Sequence, residues 1–534
     1  MPAVRGMAGE GADSYSATLS RTTKERTMAT VEEAMRSSTA RQAATLRPWL
    51  SWPMVVAVAL MLGVVALPSL HLLDDPDSYW HLAAGQWILA HGQVPLRDPF
   101  SHTLPGAPWT AHEWGAEVLF AALYRLGGWP ALVGLIAAAY ATTMAVLTRF
   151  LLQRMLPVHA LALVGLAVGM SLSHLLVRPH VLAWLVMVLW LTALVNAVES
   201  RTQPRWAAVL LVPLWANLHG SYVLGVLLAG ALALEAVCEA PRGQRRAMLR
   251  QWAPFIAITA LASLLTPSGW HGWSFTLYVT RMTFALSVIQ EWASPDFHRP
   301  QALQVWLLGV MAAAFAGRLQ LRWMRWLLLL GFVHLALKHQ RNVALLGMAS
   351  AVLMARDWAA CWYRTASPSS REVSVLDRWF DAWAGPARPA GWAALLAVAL
   401  MAAALASQRA AQPGETHTPA KALAAARAAG LTASPVLNAY DFGGYLIHEG
   451  VPVFIDGRAD LYGDPFLRRY LEALQLKTPD SLPELLAQYR IGWTMLPPGS
   501  PAVALLARLP GWEPVYQDET AVVHRRVAAV PAAP

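Results

Sequence analysis

The stretch DDPDSYWHLAAGQWILAH (residues 74–91) follows directly on a long apolar run, and its first eight residues hold three aspartates, a serine, two aromatics and a histidine. Asp75-Pro76 has the form of a helix start, with Asp75 as N-cap and Pro76 at the first helical position. Asp77 then falls in the first turn, where it meets the positive end of the helix dipole. The helix is expected to stop at Gly92. Trp80, Ala84, Trp87, Ile88 and His91 recur at helical spacing, so this stripe is expected to lie along the membrane surface. Asp77 and His81, four apart, share a neighbouring ridge that such a helix turns toward the protein. Capping accounts for Asp75 and in part for Asp77, and it gives no role to His81.

The chain around this stretch is greasy. Its 534 residues are 56% hydrophobic and 14% charged, against about 25% charge in a soluble domain, which makes it a multi-pass membrane protein. Its 25 tryptophans suit the membrane–water interface. The net charge of +9 comes mainly from short loops and the first fifty residues, not from a basic groove, and nucleic acid is therefore excluded as a partner. Cys238 and Cys361 form no CxxC and no metal-ligand spacing. Residues 1–47, rich in Ser, Thr, Ala and Arg without an apolar core, read as a disordered basic cytoplasmic tail.

A span takes about 20 apolar residues. The expected spans are 53–73, 129–151, 158–176, 180–198, 206–217, 220–238, 252–267, 302–317, 325–338, 342–356 and 391–407. Segments 113–126 and 271–288 read as surface or re-entrant helices. Arginines then fall in every second connection, as at Arg149 and Arg154, 242–246, and Arg318 to Arg325. The positive-inside rule therefore puts the N-terminus in the cytoplasm and the segment after residue 407 outside.

This threading collects the remaining polar groups on the outer face: 74–81, "HEW" (112–114), "VRPH" (177–180), "NLHGSY" (217–222), "IQEWASPDFH" (289–298) and "KHQRN" (338–342). Charges at bilayer depth cost about 2.5–3.5 kcal/mol on insertion scales, so such residues keep to span ends or cavities. Their gathering on one side implies an outward-opening polar cavity. Thr110 and Glu113 have capping-box spacing, and "HEWGA" is not the HExxH of a zinc protease. Residues 408–534 mix helix patterns (419–429, 465–475, 481–488) with the strand-like "PVLNAY", "VPVFID", "GWTMLP" and "AVVHRR", as in a small α/β domain. "YDFGGYLI" reads as turn chemistry. Asp456, Arg458, Asp460 and Tyr462 form a polar lip over the cavity. No P-loop, dinucleotide fingerprint or nucleophile elbow is present.

The 74–101 stretch in a first outer loop, the "HEW" behind it and a soluble C-terminal domain together resemble the GT-C superfamily of integral-membrane glycosyltransferases, which includes oligosaccharyltransferases and protein mannosyltransferases. The resemblance implies a mainly helical membrane domain (48–407) of about 11 transmembrane helices, with a large outer loop at 74–128, and an extracytoplasmic α/β domain at 408–534. It implies a polyprenyl-phosphate-linked sugar donor and a glycan, lipid or protein acceptor, met on the periplasmic face of an inner membrane. By position Asp77 is the reacting acid, with Asp75, His81 and Glu113 beside it. Donor and phosphate binding falls to His112, Arg178, His180, Asn217, His219, Glu291, His339, Arg341, Asp456 and Arg458. Whether a divalent cation (Mg2+ or Mn2+) is used stays open, with Asp75 and Asp77 as its candidate ligands. A transporter or flippase of lipid-linked sugars and a non-catalytic envelope-assembly protein are the alternatives.

Overall fold

In the computed structural model, residues 48–66, 72–363, 375–408 and 412–527 are described, so the expected 1–47 tail lies outside them. Two units divide the chain. The smaller takes residues 1–51 and 373–394, and the larger residues 52–372 and 395–534.

The larger unit begins with α1 (Trp52–Ala66), α2 (Asp77–His91), α3 (Trp114–Leu152), α4 (Pro157–Ser171) and α5 (Pro179–Glu199). It continues through α6 (Leu211–Leu218), α7 (Tyr222–Glu239), α8 (Arg245–Ala262), α9 (His271–Arg281) and α10 (Phe284–Val288). Next come α11 (Ala302–Phe315), α12 (Trp323–Lys338), α13 (Val343–Leu353) and α14 (Ala355–Tyr363). The smaller unit holds α15 (Val375–Ala382), and α16 (Pro389–Gln408) returns to the larger.

Each expected span overlaps helix among the described residues, and the lengths leave the count of eleven unconfirmed. Among the described residues four helices are long and apolar enough to cross a membrane, or five if the pair bent by 66° at α13–α14 is one span. The other segments include apolar helices of 10–17 residues, about 15–26 Å at 1.5 Å per residue. These fall short of a hydrocarbon core of about 30 Å.

Helix α2 begins one residue later than expected. Pro76 is the N-cap, while the Asp75 carboxylate accepts a hydrogen bond from the Asp77 amide at 3.1 Å. Gly92 closes the helix in the left-handed conformation. The apolar stripe of α2 turns inward over most of its length, with Trp87 half-buried and His91 exposed. Trp80, Ala84 and Ile88 are buried, because α2 packs between α3 and the C-terminal region. Gly85 makes the α3 contact possible, since a Cβ there would stand 1.9 Å from the Glu117 carbonyl oxygen. The expected capping box at Thr110 and Glu113 is absent. Helix α3 starts at Trp114 with Glu113 as N-cap, and Glu113 makes no side-chain capping bond. A break at Gly127 and Gly128 separates the first turns of α3 from its membrane half, and Gly128 takes φ 61°.

The C-terminal region contains α17 (Ala420–Ala428), β1 (Val436–Asn438), α18 (Gly443–His448), α19 (Ala459–Leu474) and α20 (Ser481–Gln488), then β2 (Trp493–Leu496), α21 (Pro501–Leu506), β3 (Trp512–Gln517) and β4 (Val522–Arg526). The strands form one sheet in the order β1-β2-β4-β3, with β1 parallel to β2 and the other pairs antiparallel. "VPVFID" is not a strand of this sheet. The Asn438 side chain takes up the Phe454 amide and the Ile455 carbonyl. Val453 instead bonds the first loop, through Phe100 and His102.

The glycines of "YDFGGYLI" serve packing rather than a turn. A Cβ on Gly443 would stand 2.2 Å from the Ile455 carbonyl oxygen, and one on Gly444 would stand 2.3 Å from that of Pro76. A buried knot completes the attachment. The Arg458 guanidinium binds both Asp456 oxygens and, at 2.7 Å, Asp98 of the loop between α2 and α3. The Tyr462 hydroxyl donates to Asp456.

Arg458→Ala leaves two buried carboxylates without a cation, a change that costs about 3–5 kcal/mol. Thermal unfolding of the purified protein, followed by tryptophan fluorescence, is expected to shift down by several degrees. An unchanged midpoint would refute the role given to this knot.

Candidate active site

The start of α2 brings the sequence-selected polar residues together in two groups. The first is built on Arg178, the N-cap of α5, held in an extended conformation by the following Pro179. Its Nε and Nη2 bind the two oxygens of Asp75, its Nη2 also binds Asp77 Oδ2, and its Nη1 lies 3.0 and 2.9 Å from the two oxygens of Glu291. Three chain segments thus meet on one guanidinium. Arg341 adds a weaker contact, with Nη1 at 3.6 Å from Glu291, and stacks on the Trp292 ring at 4.4 Å. His339 holds the same segment through the Trp292 carbonyl oxygen at 2.5 Å.

Asp77 has one oxygen committed and one turned elsewhere. Its Oδ1 faces Gly457, where a Cβ would approach it to 1.8 Å and the Trp80 indole nitrogen to 2.9 Å. Burial pushes the Asp77 carboxyl up to about 7, against the pull of Arg178 in the other direction. Glu291 goes the opposite way. Burial raises it, but Arg178 and Arg341 together outweigh burial and hold it well below the carboxylate range.

The second group surrounds Glu113. His81 Nε2 lies 3.6 Å from Glu113 Oε2, and Glu113 Oε1 lies 3.3 Å from His219 Nε2 and 3.7 Å from His112 Nε2. His81 Nδ1 is 3.2 Å from Glu117 Oε1. Burial raises the Glu113 pKa. Burial first, then Arg178 for His81 and Arg341 for His219, lowers both imidazoles far below their ordinary pKa. Neutral imidazoles between carboxyl groups can pass a proton from one ring nitrogen to the other. Helix α2 carries both Asp77 and His81 one turn apart, and so joins the two groups.

Other selected residues do structural work. Asn217 accepts from the Trp114 indole at 2.6 Å and donates to the Pro213 and Leu265 carbonyls. His180 bonds the His174 carbonyl at 2.8 Å, with its ring 6.3 Å from that of His219. Asp456 and Arg458, expected on an open lip, are sealed at 0% and 1% exposure in the knot with Asp98. Arg178, expected at a phosphate, is spent on carboxylates. Sequence reasoning missed Glu117, Asp98 and Gly457. Of these, only Glu117 gave a signal, as a lone acid in "GAEVLFAALY".

The possible metal ligands Asp75 and Asp77 are both engaged by Arg178. Among the described residues no group of three or more His, Cys, Asp or Glu is arranged to hold a metal ion. The donor set as it stands does not fit a divalent cation.

No family model matches the chain, and no curated protein matches it. Solved structures do. The apo oligosaccharyltransferase of Archaeoglobus fulgidus superposes with a TM-score of 0.51 at 11% identity, over 83% of this chain and 69% of that one. ArnT from Cupriavidus metallidurans bound to undecaprenyl phosphate gives 0.43 at 12% identity, over 90% and 98%. At these identities the likeness speaks for the fold alone. With helices long and apolar enough to cross a membrane, a polar centre at the start of α2 and a small C-terminal sheet, the chain shares the fold of the archaeal oligosaccharyltransferase.

Proposed function

We propose that the chain is a membrane glycosyltransferase that moves a sugar from a polyprenyl-phosphate-linked donor to an acceptor on the periplasmic face. The observation that carries this reading is Asp77. It is a mostly buried carboxylate, raised to about 7 and oriented by Arg178 through one of its two oxygens. A general base works best with a pKa near the operating pH. The oligosaccharyltransferase likeness supplies the matching fold.

In this reading an acceptor hydroxyl or amide hydrogen-bonds Asp77 Oδ1 and attacks the anomeric carbon of the donor. The new bond to that carbon forms as its bond to the phosphate oxygen breaks. The polyprenyl phosphate leaves with the electron pair, and the acceptor's proton passes to Asp77. Arg341 holds the departing phosphate, since it touches Glu291 through a single nitrogen and keeps most of its fork available. His81, Glu113, His219 and His112 carry the proton away from the centre. The apolar helices bind the prenyl tail, and Asp456 and Arg458 hold the C-terminal region over the site.

The topology belongs to the same proposal. Eleven crossings, the short ones included, leave residues 1–47 in the cytoplasm and 408–534 in the periplasm of an inner membrane, with 48–407 as the membrane domain.

Mass spectrometry of envelope glycans and lipid-linked sugars in a deletion strain tests the class. The expected result is one missing sugar and an accumulating lipid donor. Normal glycans with a normal donor pool would reject the proposal.

Three further outcomes follow from the geometry. Asp77→Asn is expected to lower transfer by about 100-fold or more, within the range of a lost general base. Below the Asp77 pKa, transfer in wild-type membranes should fall about tenfold per pH unit as the carboxylate takes up its proton, with a plateau above about 8. Gly457→Ala should push the Asp77 carboxylate aside, so activity drops toward the Asp77→Asn level. Each is read by transfer of radiolabelled sugar to endogenous acceptor.

A further inference from the structure

We propose that Arg178 is the resident cation of this centre, filling the place among Asp75, Asp77 and Glu291 that a divalent metal would otherwise take, so that no metal binds there. Three carboxylates brought together from two segments are the oxygen-rich set that hard divalent cations use. Here all three are on the guanidinium, spread around its Nε, Nη1 and Nη2. Oxygens placed around a flat three-nitrogen group do not also converge on one point at the roughly 2.0–2.1 Å that Mg2+ demands.

The charges point the same way. Asp75, Asp77 and Glu291 face Arg178 and Arg341, so the deprotonated centre carries one net negative charge. A divalent ion would make it net positive and would stand beside a buried guanidinium that cannot give up its proton. The nearby imidazoles offer no alternative set. Both ring nitrogens of His81 are turned to Glu117 and Glu113, and His112 and His219 face Glu113. An arginine in this place brings a permanent positive charge and a planar fork that fixes the Asp77 carboxylate through one oxygen.

The inference concerns the centre on which the transferase reading rests, but its test is read without turnover, so each can fail alone. Purified full-length protein in nanodiscs is titrated with Mn2+ alone, and free Mn2+ is followed by electron paramagnetic resonance. Wild type is expected to take up no stoichiometric Mn2+ below about 0.1 mM, a range in which a built carboxylate site would fill. Arg178→Ala, which leaves three carboxylates with only Arg341 against them, is expected to gain one Mn2+ at least about tenfold more tightly than wild type. Adding Glu291→Gln to it should abolish the gain. One tightly bound Mn2+ on wild type, lost in Asp77→Asn, would overturn the proposal. So would a folded Arg178→Ala that gains nothing. Should Arg178→Ala not fold, the wild-type and Asp77→Asn titrations decide by themselves.

Discussion

One guanidinium balances three carboxylates where three segments of the chain meet, and much of the structure follows from that balance. Charges are scarce in this chain, and each buried one is costly unless it is paired and hydrogen-bonded. Arg178 satisfies the condition for Asp75 and Asp77 at the start of α2 and for Glu291 ahead of α11. Removing Arg178 would leave the carboxylates with Arg341 alone, so the guanidinium ties the three segments together. The same balance sets the chemistry. Asp77 shares its cation with two other carboxylates, and burial therefore prevails over the pull of Arg178 and keeps it titrating near neutrality.

Helix α5 connects this centre to a second ionic cluster at its other end. Arg178 precedes its first residue, and Glu199, its last, binds Arg154 at 2.8 Å and Arg356 at 3.1 Å. Next to it the buried Glu235 takes Arg325 at 3.0 Å and Arg322 at 2.7 Å. The 21 residues of α5 span about 31 Å at 1.5 Å per residue, close to the thickness of a hydrocarbon core. The arginines that mark the cytoplasmic loops in the sequence are thus partly neutralised in the fold. They fasten α5, α7 and α12 to one another.

The sequence made visible those features that depend on local chemistry. Gly92 ended α2 because only an unbranched backbone enters the left-handed region cheaply, and helices met every expected span because apolar periodicity is a strong signal. What escaped depends on distant partners. "VPVFID" has strand composition, yet its backbone goes to Asn438 and to the first loop, a choice that no local pattern encodes. Strand β3, "WEPVYQ", was not among the strand-like segments of the sequence. The Asp456–Arg458 pair read as a turn because its third member, Asp98, lies 360 positions away. Glycines 443 and 444 were legible as turn formers, whereas their task, like that of Gly457, is to let one backbone touch another or touch a carboxylate.

These glycines explain why the C-terminal region belongs to the reaction centre rather than beside it. Gly444 seats α18 on the carbonyl of Pro76, and Gly457 lies against the Asp77 carboxylate and the Trp80 indole. The Asp98–Arg458–Asp456 knot holds both contacts in place by clamping the first loop to the chain after residue 450. Water that would reach Asp77 from this side is displaced by backbone, which raises the carboxyl's pKa without adding any charge of its own. A centre built only from the membrane helices would leave the start of α2 open to solvent on this side and return Asp77 toward an ordinary carboxylate. The local dryness that raises the Asp77 pKa is therefore supplied by residues nearly four hundred positions downstream.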